Sequence, residues 1–387
     1  MNLLNYLGRF VPSAVKELFK ADLHLTDAQT SYPFTAYVII YMLACPLFGT
    51  LADRWPRKVV IAGGVLVWSL ATGAAAWAVG FWSFLAARAL VGVGEAAYAT
   101  LSPALLSDLY PPERRNRVLT IFYVAIPVGA ALGFVLGGAV GAHWGWRSAF
   151  WVAGLPGLLA AAIVLGVQEP TRGQFDLDRT SVLPWRDALA ALRHNREYLI
   201  AVAGYTAVTF ASGALADWFP TFLVRHRGMS LASAGSLVGA STVVGGLGGT
   251  LLGGLLGDRL RKRTQHPYLA LCALSMLPAA LLAGVALLSR DPLAIALSLV
   301  TAQLFFWCYN GPVNTVLVNC VGSGLRTRAF SLSLLCIHLF GDAISPSVVG
   351  RIADASSLPI GMALVPISMV LGASIWGYGW RTLPASA

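Results

Sequence analysis

Charge is what this 387-residue chain has least of: Asp, Glu, Lys and Arg together make up 11% of it, less than half the roughly 25% usual in soluble domains. Acidic residues are the scarcer sign, 17 against 27 basic ones. With 57% hydrophobic residues and a mean hydropathy of +0.70, so thin a polar skin cannot cover the apolar side chains in water. That excludes an ordinary soluble enzyme and a disordered or nucleic-acid-binding tail. Cysteine is scarce as well. Cys45, Cys272, Cys308, Cys320 and Cys336 lie in or beside apolar runs without metal-ligand spacing, so they read as small core residues and not as a disulfide framework. The opening residues do not read as a cleavable signal peptide. What remains is an all-α integral membrane protein, because lipid requires backbone hydrogen bonds to be satisfied within each segment.

The long apolar runs are abundant. They fall at about 1–19, 31–51, 59–79, 83–107, 118–141, 147–167, 198–224, 231–256, 267–289, 292–319, 329–350 and 358–380, each near the 20 residues a bilayer core demands. The first is interrupted at once by Asn5 and Tyr6 and is expected to be truncated. Twelve helices are therefore predicted: a six-helix bundle over 1–167, a polar linker over 168–197 and a second bundle over 198–387. Within the linker, Trp185 to Leu192 reads as a short amphipathic helix on the membrane surface. Roughly eighteen of the 27 Lys and Arg fall in the loops after even-numbered spans, in the linker and at Arg381, which predicts that these loops and both termini are cytoplasmic. The net charge of +10 is explained the same way, without nucleic acid.

An internal repeat connects the halves. GTLADRWPRK follows span 2 (Gly49, Asp53, Arg54, Arg57, Lys58) and GGLLGDRLRKR follows span 8 (Gly254, Asp258, Arg259, Lys262, Arg263). Both read G-x-x-x-D-R-x-x-[RK]-[KR] at the same place in each half. The positive-inside rule explains the basic residues but not the paired Gly and Asp. Repeated halves around a linker are the mark of a secondary transporter with its site between them. Asp53, at a helix end, is positioned to face the positive N-terminus of span 11 near Arg328, and Arg57 to pair with Asp108 at the end of span 4. The alternative is a solvated charge cluster that merely sets topology.

Span 4 carries Arg88 and Glu95, seven residues apart and so on nearly one helix face. Ionisable groups inside a span are costly and face a cavity. Gly92 and Gly94 between them allow a neighbouring helix to come close. A structural Arg–Glu pair locking the first bundle is the competing reading. Span 5 repeats glycine at 129, 133, 137 and 141, and span 8 at 245, 249, 253 and 257, both ridges of the kind that let helices approach closely. No strand precedes them, so they are not nucleotide-binding loops.

GTLADRWPRK resembles the signature of the major facilitator superfamily, and longer stretches resemble its Spinster family, whose members move lysophospholipids and sphingoid lipids. These stretches are RALVGVGEAAYATLSPALLSDLYPPERRNR (88–117), FYVAIPVGAALGF (122–134, with Tyr123), WFPTFLVRHRG (218–228) and IHLFGDAISPSVVGRIAD (337–354). The resemblance implies the superfamily fold of two six-helix bundles. It implies a cytoplasmic gate at the Gly49–Lys58 loop, Asp108, Asp258 and Arg259. It makes Arg88 the span-4 arginine, Glu95 a proton-coupling or headgroup-sensing carboxylate, and the glycine ridges of spans 5 and 8 facing surfaces between the halves. Spinster relatives usually read N-Y-[LM]-D-R in span 1. Here Gly8 precedes Arg9 in place of the acid, which leaves proton coupling to Glu95.

The second half offers a softer lining: Asp217 and Trp218 in span 7, Gln303, Trp307, Asn310 and Asn314 in span 10, and His338 with Asp342 in span 11. Asp217 stands where relatives tend to place an apolar or small residue. A zinc site would require a third ligand, and interhelical hydrogen bonding is the plainer role for these groups. A site that is cationic in the first half (Arg9, Arg88) and aromatic and amide-lined in the second suits an amphipathic anion better than a sugar. The expected function is alternating-access transport of a lysophospholipid or sphingoid-type lipid, with no cofactor, by a monomer in a bacterial inner membrane. A drug or organic-anion:proton antiporter on the same fold is the alternative, and a lipid-modifying enzyme the reading from another class.

Overall fold

The computed structural model describes residues 1–171, 185–260 and 263–384, apart from a few side chains, that of Asp53 among them. Lys262 of the second basic repeat also lies outside the described residues. The described chain contains ten helices apolar and long enough to cross a membrane. One of these, within α6 (Pro112–Leu165), is counted once but breaks at Gly145, whose φ of 79° and ψ of 165° no helix contains. Its 54 residues would run far beyond a 30 Å hydrocarbon layer, so it supplies two spans. The first span is assembled from α1 (Asn2–Ala14) and α2 (Lys16–Asp22), separated at Val15. The twelve expected spans are all present.

Span 2 starts earlier than its apolar run. Thr26 and Gln29 form a capping box, with the Gln29 N–H donating to Thr26 Oγ1 (3.2 Å) and the Thr26 N–H to Gln29 Oε1 (3.0 Å). The cap satisfies N–H groups that would otherwise be orphaned, and fixes the start of α3 (Asp27–Arg54). Span 3 is α4 (Arg57–Ala75) and span 4 is α5 (Phe81–Leu109). The amphipathic linker helix forms as α7 (Trp185–Leu192), burying Ala188 and Leu192. Beyond it run α8 (Arg196–Arg227), α9 (Leu231–Val243), α10 (Thr250–Leu260), α11 (Pro267–Leu288), α12 (Pro292–Trp307), α13 (Asn310–Asn319), α14 (Ser323–Ile337), α15 (Ser345–Ala355), α16 (Leu358–Met362) and α17 (Leu364–Thr382). Two π-helical turns, Val244–Gly249 and His338–Asp342, interrupt spans 8 and 11.

The chain forms two compact units. The first is Met1–Asp178 together with Ala216–Gly239, so the last third or so of α8 and most of α9 pack with the N-terminal helices. In it α1 lies on α6, and α5 lies on α3 and α4. Lipid gives helices no hydrophobic reason to associate, so close backbone approach at small residues does much of the joining. A Cβ on Gly64 would stand 2.7 Å from Gly94 O, and one on Gly92 would strike Tyr37 O. Phe19, Phe84, Trp146 and Phe150 close one end of this unit, with ring centroids 4.7–6.1 Å apart. The second unit is Arg179–Leu215 with Ala240–Ala387. There α11 packs on α12 and α17, and buried Trp376 donates to Ala201 O at 3.2 Å.

The glycine ridges correct an expectation. Gly129, Gly133, Gly137 and Gly141 meet Leu3, Leu7, Ala14 and Val15 of the first span, while Gly245, Gly249 and Gly253 meet Gln303, Leu304 and Cys308 of span 10. Each ridge thus serves a neighbour within its own unit. Spans 5 and 8 do touch, through different glycines: a Cβ on Gly138 would lie 2.6 Å from Leu231 O, one on Gly239 2.8 Å from Ala131 O, and one on Gly235 would collide with Phe134 O. Gly235→Ala should therefore cost about 1–3 kcal/mol of overpacking. Gly284→Ala in α11, where a Cβ would have nothing within 4 Å, should gain up to about 1 kcal/mol of helix propensity. Melting temperatures in detergent check this pair, and equal shifts would mean α9 is free to move off α6.

Candidate functional site

Five ionisable side chains from four segments converge inside the first unit: Arg9 (α1), Lys16 (α2), Arg88 and Glu95 (α5) and Asp217 (α8). Glu95 is 1% exposed. It accepts a hydrogen bond from the Tyr37 hydroxyl and lies 3.5 Å from Arg9 Nη2. Arg9 also donates to Tyr37, and its guanidinium stands 4.9 Å from the Tyr37 ring centroid and 5.7 Å from that of Tyr41. The acid's ion-pair partner is therefore Arg9, not Arg88. No Arg88–Glu95 ion pair occurs among the described residues, which removes the structural pair as an explanation of span 4.

Arg88 is 1% exposed, with its guanidinium 5.7 Å from the Tyr37 ring centroid. Among the described residues its Nη1 has no hydrogen-bond partner, and neither has the buried Nε of Arg9. Both arginines line one small cavity with Ser13, Lys16 and Asp217, of a size to take a water or a single polar group. If all five groups are ionised, three cations face two carboxylates, an excess of one positive charge. Unsatisfied buried donors are expensive, and both belong to residues that line a space an acceptor fits. Gly8 adjoins the cluster, and a Cβ at that position would have nothing within 4 Å, so the missing acid is not a matter of space.

Asp217 and Trp218, expected among the linings of the second half, belong instead to the first compact unit. Asp217 pairs with Lys16 and accepts from Ser13 Oγ (3.2 Å) and Ser31 Oγ (3.0 Å). Two turns further along α8, Arg225 binds Glu17 (2.6 Å) and Asp27 (2.7 Å), and Lys20 pairs with Asp27 as well. Sequence reasoning missed this second layer and the partners Tyr37, Ser13 and Ser31. Tyr37 and Tyr41, one turn apart in an apolar span, were the available signal.

At the opposite end of α3 lies the signature loop. Arg57 Nη1 is 2.6 Å from Asp108 Oδ2, and its Nε is 2.9 Å from Glu169 Oε1. Glu169 also caps α4, accepting the Lys58 N–H at 3.0 Å, where the helix dipole favours an anion. Nothing in its linker position marked it for this. Gly49 is half-buried with nothing within 4 Å of a Cβ placed there, and Arg54, Asp258 and Arg259 are exposed. No ion pair to these three charges is found among the described residues. Burial works against ionisation of Glu169, yet the Lys58 N–H and the Arg57 guanidinium outweigh it and hold the carboxyl below its ordinary 4.5. A group lowered in this way contributes stability above its unfolded value and loses it as pH falls through the folded one. The melting temperature should thus decline as pH drops below 4.5, and Glu169→Gln should melt lower at pH 7 and lack that component. Superimposable profiles would deny Glu169 the role.

The remaining predicted site residues lie apart from the charge cluster. Tyr123 is half-exposed on α6, its ring against Phe122. In the second unit, Trp307 Nε1 donates to Gln303 Oε1 (3.1 Å) and Asn314 Nδ2 to Asn310 O (2.7 Å). His338 Nδ1 lies 3.0 Å from Asp342 Oδ1 within the π-helical turn. These bonds each join two residues of one span, and Asn314 also hydrogen-bonds Tyr205 of α8.

A two-unit array of twelve spans with a repeated basic loop and a buried charge site defines a secondary transporter fold. Residues 1–346 match the model of the Major Facilitator Superfamily, so the chain is a multi-pass membrane transporter and not an enzyme. Protein spinster homolog 1 of Homo sapiens is 35% identical over 382 residues, covering 92% of this chain and 71% of that protein. The Sphingosine-1-phosphate transporter SPNS2 of Danio rerio is 32% identical over 412 residues, covering 96% and 80%. The chain belongs to the Spinster family. A crystal structure of a bacterial homologue of the human lysosomal transporter Spinster superposes with a TM-score of 0.86 at 23% identity, covering 99% of this chain and 95% of that one.

Proposed function

We propose that this transporter carries an amphipathic lipid with an anionic headgroup, a lysophospholipid or a sphingoid-type phosphate, by alternating access. One observation carries the reading: Arg9 and Arg88 line a single cavity with Lys16 and Asp217, a lining with more cations than carboxylates, and each arginine keeps a buried donor, Arg9 Nε and Arg88 Nη1, without an acceptor among the described residues. An anionic oxygen supplies what both donors lack. The zebrafish relative, a sphingosine-1-phosphate transporter, agrees with a phosphorylated sphingoid substrate. Glu95 is the proton-coupling group in this scheme. An anion that engages the arginines withdraws the charge compensating Glu95, and the carboxylate takes up a proton with the substrate. The Arg57–Asp108–Glu169 cluster acts as the gate on the cytoplasmic side. The distribution of basic residues supports cytoplasmic termini in a bacterial inner membrane, with the monomer as the working unit.

A drug or organic-anion:proton antiporter would share the fold. Uptake into proteoliposomes of a labelled lysophospholipid and of a small aromatic cation separates the two. Saturable uptake of the lysophospholipid alone is expected, and uptake of the cation alone would overturn the reading.

A further inference from the structure

The Lys16–Asp217 pair takes no part in proton coupling or in the cytoplasmic gate, yet it shares the cavity of Arg9 and Arg88. We infer that Lys16 is a further headgroup-binding residue, held by Asp217 until an anion enters the cavity and draws it away. This rests on the anionic-headgroup reading and adds to it a third cation and a consequence for α8.

The surroundings of the pair suit an exchange of partners. Lys16 is 1% exposed and Asp217 3%. An ion pair so deep survives only if neither partner is stranded. Asp217 would not be: Ser13 donates to its Oδ1 at 3.2 Å and Ser31 to its Oδ2 at 3.0 Å, so two hydrogen bonds remain when the ammonium leaves. Nor does Lys16 lose everything, since its Nζ stands 3.8 Å from the Trp218 ring centroid, where a desolvated cation is favourably placed. With Glu95 protonated as the substrate enters, three cations face Asp217 alone, and a phosphate monoester near its dianionic form brings the group close to neutrality, so Asp217 need not be displaced.

The exchange has a mechanical result. Asp217, Thr221 and Arg225 recur at four-residue spacing and so share one face of α8. That face is tied to α2 and α3 at two levels, by Asp217 to Lys16 and by Arg225 to Glu17 and Asp27. Transfer of Lys16 to the anion removes the ionic tie at the first level and leaves only two hydroxyl contacts. Occupancy of the cavity thereby loosens this part of α8.

The test uses the full chain in lipid nanodiscs, with oleoyl lysophosphatidate and inorganic phosphate as probes. Thr221 is 2% exposed and its hydroxyl has no partner among the described residues, so Thr221→Cys is a conservative reporter, with thiol modification at that position followed by mass spectrometry. Lysophosphatidate should bind and accelerate labelling by about fivefold or more. In Lys16→Met combined with Asp217→Leu, which replaces the pair by apolar side chains and avoids a stranded charge, binding should weaken about tenfold and the acceleration should vanish. Acceleration by inorganic phosphate would assign the effect to the anion alone, and acceleration by the lysolipid only to the amphiphile; either supports the inference. Equal affinity in the double variant, with binding lost in Arg88→Met, would overturn the role of Lys16 and leave the anionic-headgroup reading standing. Absence of binding by the parent protein would overturn that reading itself.

Discussion

Arg88→Met is expected to reduce lysophosphatidate transport roughly 100-fold while raising the melting temperature. The two effects have one cause. Arg88 is buried to 1% exposure, forms no ion pair with Glu95 and leaves Nη1 without an acceptor. Among the described residues a cation in that position is favoured by the charge of Glu95, which lies beyond ion-pair distance, and by the Tyr37 ring 5.7 Å away, and the desolvation penalty of an unpaired buried ion is several kcal/mol. A methionine of similar length fills the space without that penalty, so the empty protein gains stability. The substrate complex loses a charge-assisted hydrogen bond in a site of low dielectric, for which about 3 kcal/mol is a typical loss. Proteoliposome flux and thermal unfolding of the same preparation read both effects. Flux near that of the parent would make Arg88 a structural residue, and a lowered melting temperature would mean that its unpaired donor is satisfied after all.

Glu95→Gln is expected to retain lipid binding within about threefold and to abolish accumulation driven by a pH gradient. A glutamine side chain keeps an oxygen to accept the Tyr37 hydroxyl but has no proton to exchange. One proton carried per substrate against a gradient of one pH unit represents about 1.4 kcal/mol, or tenfold accumulation. The parent should therefore approach tenfold at that gradient, and the variant should stop at equilibration. Gly8→Asp, at a position where a Cβ has no neighbour within 4 Å, should steepen the dependence by restoring a second carboxylate beside Arg9. An intact pH response in Glu95→Gln would show that protons travel by another route.

The architecture was legible because membrane spans write themselves into sequence at full length: each apolar run answers to the thickness of the bilayer, and even the amphipathic helix at Trp185–Leu192 was readable from its pattern. Span 2 begins early because a capping box, not hydropathy, decides where α3 starts. Contacts between distant residues were less legible. A glycine at every fourth position shows that some backbone comes close but not which one; the ridge containing Gly133 meets Leu7 of the first span. Position after the linker groups Asp217 with the second half, whereas Lys16 of the first span holds it, 201 residues away. Glu169 carries no mark of its pairing with Arg57 in a linker rich in charge. Helical period places residues on a face, and only the packed structure says what that face meets.

The selectivity of transport for headgroup charge tests the central claim most directly. Initial rates of uptake into proteoliposomes should be compared for oleoyl lysophosphatidate and for monooleoylglycerol, which share a tail and a glycerol and differ in the phosphate. Two acceptor-free guanidinium donors predict a preference for the phosphorylated lipid of at least about tenfold, the worth of one charge-assisted hydrogen bond, and its collapse in Arg88→Met. Equal rates for the two lipids in the parent protein would contradict an anion-selecting site at Arg9 and Arg88.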